Sequence, residues 1–269
     1  MTAVSAADLR RILDDAATEF RRLAGGTVDL RRKADGSVVS RVDLGLDAFL
    51  RGQLTSLTAE PAWLSEESAC DADRLARPWA WVVDPLDGSG EFARGIPEFA
   101  ISVGLVEHGC VRAGGVVNPM TAMGAACGTD GSWVAWPARA VAAPPRDLAS
   151  ATVAVSRTES EDGSIAPFID LVGHVRQVGS VAYKLLRVAC GIDDVTFSVQ
   201  GKSEWDLCGG AALLAARGMV LVRLDDRPVQ FNQADTRLPG GFAAGPPALA
   251  HALAERLRAR RAELVRLHA

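Results

Sequence analysis

Trp81-Val82-Val83-Asp84-Pro85-Leu86-Asp87-Gly88-Ser89 is the stretch from which the rest of the chain can be read. An apolar strand pattern delivers a carboxylate, Asp84, at its end. A proline-stiffened turn then presents a second carboxylate, Asp87, and Gly88-Ser89 follows at a helix start. Two hard oxygen ligands this close suit Mg²⁺, which takes carboxylates, water and substrate phosphate rather than an all-protein cage. The backbone N–H groups of Gly88 and Ser89, at a helix N-terminus, are candidates to hold a phosphate. Read alone, the stretch is equally a functionless Asp-Pro, Asp-Gly turn.

Upstream, Trp63-Leu64-Ser65-Glu66-Glu67-Ser68 places paired acids after an apolar pair. Downstream, Glu204-Trp205-Asp206-Leu207-Cys208-Gly209-Gly210 puts an Asp at the start of an apolar helix. By itself that Asp reads as an ordinary N-cap. Around these segments, residues 6–24 pattern as an amphipathic helix with Ser5 and Asp8 at its cap and Gly25-Gly26 at its end. The polar turn Lys33–Ser37 precedes a second helix carrying Leu46, Phe49, Leu50 and Leu54. Strands follow at Ala80–Val83, Ala100–Val106, Gly115–Val117 and Met123–Cys127, with Gly131–Ala135 closing a meander. Trp136–Ala149 is a Pro- and Ala-rich connector without periodicity.

Beyond the connector, Thr152–Ser156, Val195–Val199 and Val220–Leu224 read as strands alternating with helices at Val181–Ala189 and Leu207–Ala216, an α/β pattern. Ala248–His268 is an Arg-rich closing helix whose charges read as a solvated face. The division expected is an α+β half over 1–148 and an α/β half over 149–269.

Bulk properties exclude several classes. A net charge of −4 leaves no basic footprint for nucleic acid or an anionic membrane. An acidic chain that binds phosphate needs a cation in its site, which again points to metal. Cys70, Cys110, Cys127, Cys190 and Cys208 are scattered and never spaced C-x-x-C, as expected of a reduced, cytoplasmic protein. Met1–Arg11 lacks a signal-peptide core, and no apolar run approaches the roughly 20 residues of a membrane helix.

Together, Ser65-Glu66-Glu67, Asp84 through Glu91-Phe92, and Trp205-Asp206-x-x-Gly209-Gly210 resemble the inositol monophosphatase superfamily in motif, order and spacing over nearly the whole chain. The resemblance implies a layered αβαβα sandwich with metals between its halves. It implies that Glu66, Asp84 and the Leu86 carbonyl hold one Mg²⁺, that Asp84, Asp87 and Asp206 hold a second, and that Glu66 helps to place a third. Val39-Ser40-Arg41-Val42-Asp43 matches the family's upstream Asp segment, and Ser89 stands where most relatives have Thr. Asp43 and Ser89 are then expected to orient and deprotonate the water that attacks phosphorus. Inhibition by Li⁺ is implied as well.

Other chemistries fit less well. Gly201-Lys202-Ser203 resembles the end of a P-loop, but Thr196 occupies the position of its first Gly. Asp71-Ala72-Asp73 does not follow an apolar strand. His108, His174, His251 and His268 lie outside the motifs and read as surface or turn residues. A non-catalytic interaction protein is the other class the family admits, and the intact carboxylate set argues against it.

The substrate expected is a small phosphorylated metabolite. Ser-Glu-Glu, Glu91-Phe92 and Lys184 after Gly179-Ser180 resemble the branch that removes the 3′-phosphate of 3′-phosphoadenosine 5′-phosphate. Ser180 and Lys184 are accordingly candidate substrate contacts, although a cation on a helix surface is the default for Lys184. Inositol phosphatases carry a Glu where this chain has Val199, which disfavours a polyol. Inositol 1-phosphate or a promiscuous sugar-phosphate activity is the alternative, and a homodimer is compatible with the sequence.

Overall fold

Helix α1 (Ala6–Ala24) starts as its sequence dictates. Ser5 Oγ accepts from the Asp8 N–H at 3.1 Å, and the Asp8 carboxylate accepts from the Ser5 N–H in return. Leu9, Ile12, Leu13, Ala16 and Phe20 form its buried stripe. The computed structural model describes residues 3–25, 30–32, 38–68, 70–138, 145 and 147–267. The Lys33–Ser37 turn, most of the connector's middle and His268 lie outside the described residues.

A short ribbon, β1 (Leu30–Arg32) with β2 (Val38–Ser40), leads into α2 (Arg41–Leu54). Next come β3 (Ala62–Ser65), β4 (Trp79–Asp87), α3 (Ser89–Ala93), β5 (Ala100–Glu107), β6 (Cys110–Asn118), β7 (Met123–Cys127) and β8 (Trp133–Trp136). These six strands pair in sequence order, β3 parallel to β4 and the rest as an antiparallel meander.

The remaining chain forms β9 (Thr152–Ser156), α4 (Arg157–Glu161), β10 (His174–Val178), α5 (Val181–Ala189), β11 (Val195–Ser198), β12 (Lys202–Ser203) and α6 (Glu204–Ala216). It ends with β13 (Val220–Arg223), β14 (Arg237–Leu238), β15 (Phe242–Gly245) and α7 (Pro247–Leu267). A second sheet runs β10-β9-β11-β15-β13, its first three strands parallel. Both β10 and β15 are additions to the strands expected from sequence.

Three buried clusters define the layers. Leu13, Leu46 and Leu50 of α1 and α2 pack on Trp63, Trp81 and Val103 of the first sheet. Leu185 of α5 and Leu207 and Leu213 of α6 fill the space between Val82 and Val116 on one sheet and Phe242 and Ala244 on the other. Leu249, Leu253 and Leu257 of α7 cover Val153, Val155 and Phe197. The result is an αβαβα sandwich, as the motifs imply. Among the described residues, no helix is long and apolar enough to cross a membrane.

Candidate active site

Between the sheets, the ends of β4, α2, α5 and α6 meet. Pro85 contributes no N–H, and the β4–β5 register shifts between Asp84 and Asp87. The Leu86 N–H closes the bulge onto Asp84 Oδ1 at 3.0 Å. Gly88 follows at φ +94°, where a Cβ would lie 3.1 Å from the Phe99 Cβ and 3.2 Å from the Glu98 carbonyl.

Asp206 arrives from the other half as the third residue of α6, and its Oδ2 accepts from the Ser203 N–H at 2.8 Å. The cap of α6 is therefore Ser203, and Asp206 closes the capping box. The helix can reach the first sheet because residue 209 has no side chain: a Cβ there would sit 2.6 Å from Ser102 Oγ. One carboxylate oxygen each of Asp84, Asp87 and Asp206 then lies within 4.8 Å of the others.

Like charges at this separation repel, and the protonation equilibria register it. Burial pushes the Asp84 carboxyl well above the usual range, and Glu66, Asp87 and Asp206 push it further. Asp206 rises to about 7 through burial, then Asp87, with the Ser203 N–H opposing. Glu66 adds to the upward shift of both aspartates. An all-oxygen cluster of this kind is chemically matched to a hard divalent cation.

Asp43 and Ser89, picked from separate motifs, meet directly. Ser89 Oγ lies 2.7 Å from Asp43 Oδ1 and 2.9 Å from the Leu86 carbonyl. Asp43 Oδ2 accepts from the Ser40 N–H at 2.8 Å and the Ser40 hydroxyl at 2.6 Å, so one residue closes the α2 capping box and anchors Ser89. Helix α3 spans only five residues, so the field at Gly88 and Ser89 is that of a single turn.

A match to the inositol monophosphatase family model extends over residues 2–262. The chain belongs to the inositol monophosphatase family. It is 26% identical over 248 residues to the 3′(2′),5′-bisphosphate nucleotidase CysQ of Aggregatibacter actinomycetemcomitans, covering 88% of this chain and 91% of that one. It is also 26% identical over 229 residues to an inositol-1-monophosphatase of Synechocystis, covering 81% and 78%. The crystal structure of the extragenic suppressor protein SuhB from Bartonella henselae superimposes with a TM-score of 0.77 at 21% identity, over 94% of this chain and 97% of that one. Like its family, the chain is a metal-dependent phosphatase, a hydrolase of phosphate monoesters.

The structure gives two of the expected substrate contacts different surroundings. Ser180 Oγ donates to Asp87 Oδ2 at 2.6 Å, and the Ala182 N–H reaches the same oxygen at 2.6 Å. Its hydroxyl thus orients a carboxylate of the cluster. Ser180 holds φ +59°, a conformation an L-residue adopts at a cost of about 1–3 kcal/mol. Lys184 is not on a helix surface. It is 1% exposed and faces a cleft that also holds the carboxylates of Asp87, Glu91 and Glu159. Burial and then Lys202 push its amine down to about 8.

Lys184 lines a cleft of about 210 Å³ together with Asp87, Glu91, Glu159, Lys202 and Asp206. Glu159 and Lys202 were absent from the sequence-derived site of this inositol monophosphatase family member. Glu159 is 0% exposed; its Oε1 accepts from Lys202 Nζ at 3.0 Å and from Ser198 Oγ. Its Oε2 accepts from the Val199 N–H at 2.9 Å. The Val199 side chain packs with the core beneath α7, and a carboxylate from α4 comes to the cleft beside it. One signal was readable: the chain has only three lysines, Lys33, Lys184 and Lys202. The two that are described both face the cleft.

Proposed function

We propose that the chain is a Mg²⁺-dependent phosphatase of a small metabolite, specifically a 3′(2′),5′-bisphosphate nucleotidase acting on 3′-phosphoadenosine 5′-phosphate. The observation that carries the reading is the convergence of Asp84, Asp87 and Asp206 beside the Asp43–Ser89 pair. Glu66, Asp84, Asp87, Asp206 and the Leu86 carbonyl would hold two or three Mg²⁺ ions. When bound, Mg²⁺ would supply Lewis-acid polarisation of the phosphoryl oxygens and stabilise charge on the leaving oxygen.

The chain's own residues account for the rest. Asp43 fixes the Ser89 hydroxyl, which aligns the attacking water opposite the scissile P–O bond and relays its proton toward the carboxylate. The Gly88 and Ser89 N–H groups donate to the phosphate. Ser180 and the Ala182 N–H hold Asp87 in one orientation, so the carboxylate cluster needs little rearrangement as substrate binds.

Lys184 supports the bisphosphate reading, because its buried ammonium faces the cleft, where a second anionic group of the substrate can meet it. Glu159 supports the second reading, inositol 1-phosphate or a sugar phosphate. It returns a carboxylate to the cleft near Val199, and among the described residues no aromatic side chain lines that cleft to stack a base. The site is thus divided between 1–148, which supplies most carboxylates, and 149–269, which supplies the facing wall. A cytoplasmic location is part of the proposal, supported by the absence of any disulfide among the five cysteines.

The test is phosphate release over a metabolite panel with Mg²⁺, comparing kcat/KM for 3′-phosphoadenosine 5′-phosphate and inositol 1-phosphate. A higher value for the bisphosphate is expected. A preference for inositol 1-phosphate transfers the assignment to the second reading.

A further inference from the structure

Helix α2 turns two buried carboxylates toward the site, one helical turn apart: Asp43 and Asp47. Each grips a serine of another segment. Asp43 holds Ser89, on the turn that follows Asp84, Leu86 and Asp87. Asp47 Oδ1 accepts from Ser65 Oγ at 2.5 Å, and Ser65 immediately precedes Glu66. Asp47 is 6% and Ser65 4% exposed, and neither lines the cleft.

The segment around Glu66 is tied at two points. The Glu66 N–H donates to the Val83 carbonyl at 3.3 Å, which fastens it to β4. Ser65 Oγ accepts from the Glu67 N–H at 3.4 Å while donating to Asp47, which fastens the same turn to α2. Among the described residues, Ser65 is the one hydrogen-bond donor that reaches the Asp47 side chain. A glycine at 65 would leave that carboxylate buried without a partner, a costly arrangement. Ser65 and Asp47 therefore stand or fall together.

We propose that Asp47 is a positioning residue for Glu66. Through Asp43 and Asp47, α2 sets the separation between the Asp84–Ser89 turn and the Glu66 turn, and hence the span of the metal-holding carboxylates. The proposal rests on the reading of Glu66, Asp84, Asp87 and Asp206 as a metal centre. A charged acceptor suits the task, because a hydroxyl-to-carboxylate bond is shorter and stiffer than a neutral one.

The experiment is Mn²⁺ binding to the purified full chain, followed by the electron paramagnetic resonance of free Mn²⁺, with thermal melting recorded in parallel. Asp47→Ala and Ser65→Ala should each weaken Mn²⁺ binding, by roughly 10- to 100-fold for loss of a partner behind a metal ligand. The double variant should bind no worse than either single one, and Ser65→Thr should bind like the parent. If Asp47→Ala fails to fold, Ser65→Ala, which removes one hydroxyl, carries the test. A lowered melting temperature with unchanged Mn²⁺ affinity overturns the proposal and leaves the pair a structural tie. Absence of Mn²⁺ binding by the parent chain overturns the metal centre as well.

Discussion

The hydroxyl of Ser89 donates to the carboxylate of Asp43 across 2.7 Å, joining the first turn of α3 to the first turn of α2. A serine and an aspartate 46 positions apart are thus one unit, with the Leu86 carbonyl 2.9 Å from the same oxygen. Ser89→Ala should lower kcat by about 100-fold or more, the range for a lost proton-transfer group, and change KM little. Ser89→Thr keeps the hydroxyl and should stay active. Steady-state kinetics on both variants decide it; an alanine variant as active as the parent moves water activation elsewhere.

Chelation should abolish turnover and Mg²⁺ should restore it. Ca²⁺ should substitute poorly because its coordination is looser. Li⁺ should inhibit. Asp87→Asn and Asp206→Asn swap charged ligands for neutral ones of similar shape, so kcat should drop by several orders of magnitude while circular dichroism is unchanged. Wild-type turnover by either variant at saturating Mg²⁺ removes that residue from the site.

Lys184 is the residue that the bisphosphate proposal assigns to a second anion. Lys184→Met keeps the buried stem and deletes the charge. It should weaken 3′-phosphoadenosine 5′-phosphate by about 1–3 kcal/mol, the scale of a charge-assisted hydrogen bond, and a monophosphate far less. Equal losses on both substrates assign Lys184 to the stability of the helix layer instead.

The raised carboxyls make a pH prediction for the metal-free chain. Asp206 sits near 7 and Asp84 well above its ordinary value, so between pH 4 and 7 the folded state binds more protons than the unfolded one. Stability then falls as pH rises through that window. Glu204, raised to about 7 chiefly by burial, adds to the same slope. Melting curves in chelator should show the decline. Mg²⁺ should flatten the part due to the aspartates, and Glu204→Gln the remainder. A flat profile in chelator contradicts the clustered charges.

Ser180→Gly separates stability from function at one position. Glycine tolerates φ +59° without strain but cannot donate to Asp87. The melting temperature should hold or rise while kcat/KM falls. Ser180 Oγ also accepts from the Tyr183 N–H at 3.0 Å at the start of α5, so loss of both, read by calorimetry and kinetics, would make Ser180 an ordinary helix cap.

The sequence located the elements that are apolar along nearly their whole length and bounded by turns. Met123–Cys127, Thr152–Ser156 and Val181–Ala189 have the same bounds in the structure. It missed β10 because that edge strand exposes His174, Val175, Arg176 and Gln177, and polar edges carry no apolar signal. It missed β15 because Phe242-Ala243-Ala244-Gly245 has little beyond small residues. The carboxylate cluster was legible only through the resemblance of the three motifs taken together; each acid alone read equally as a turn, an exposed pair or an N-cap. Glu159 was not, since nothing near Ser156–Glu161 marks it; its role appears only when Lys202, 43 positions away, is seen 3.0 Å from it. Lys184 was misplaced because a lysine on a helix is exposed by default.

The two sides of the cleft carry unequal freedom to change. Asp43, Asp84, Asp87 and Asp206 are each tied to backbone N–H groups or to serines, so a substitution among them disturbs caps and bulges as well as chemistry. On the opposite wall Glu159 is tied likewise, to the Val199 N–H and Ser198, whereas Lys184 of α5 and Lys202 ahead of α6 reach the cleft by their side chains. Exchanging the two lysines would leave the carboxylate scaffold standing. A lineage with this architecture can therefore drift from one phosphorylated metabolite to another through a handful of replacements, its hydrolytic step carried along intact.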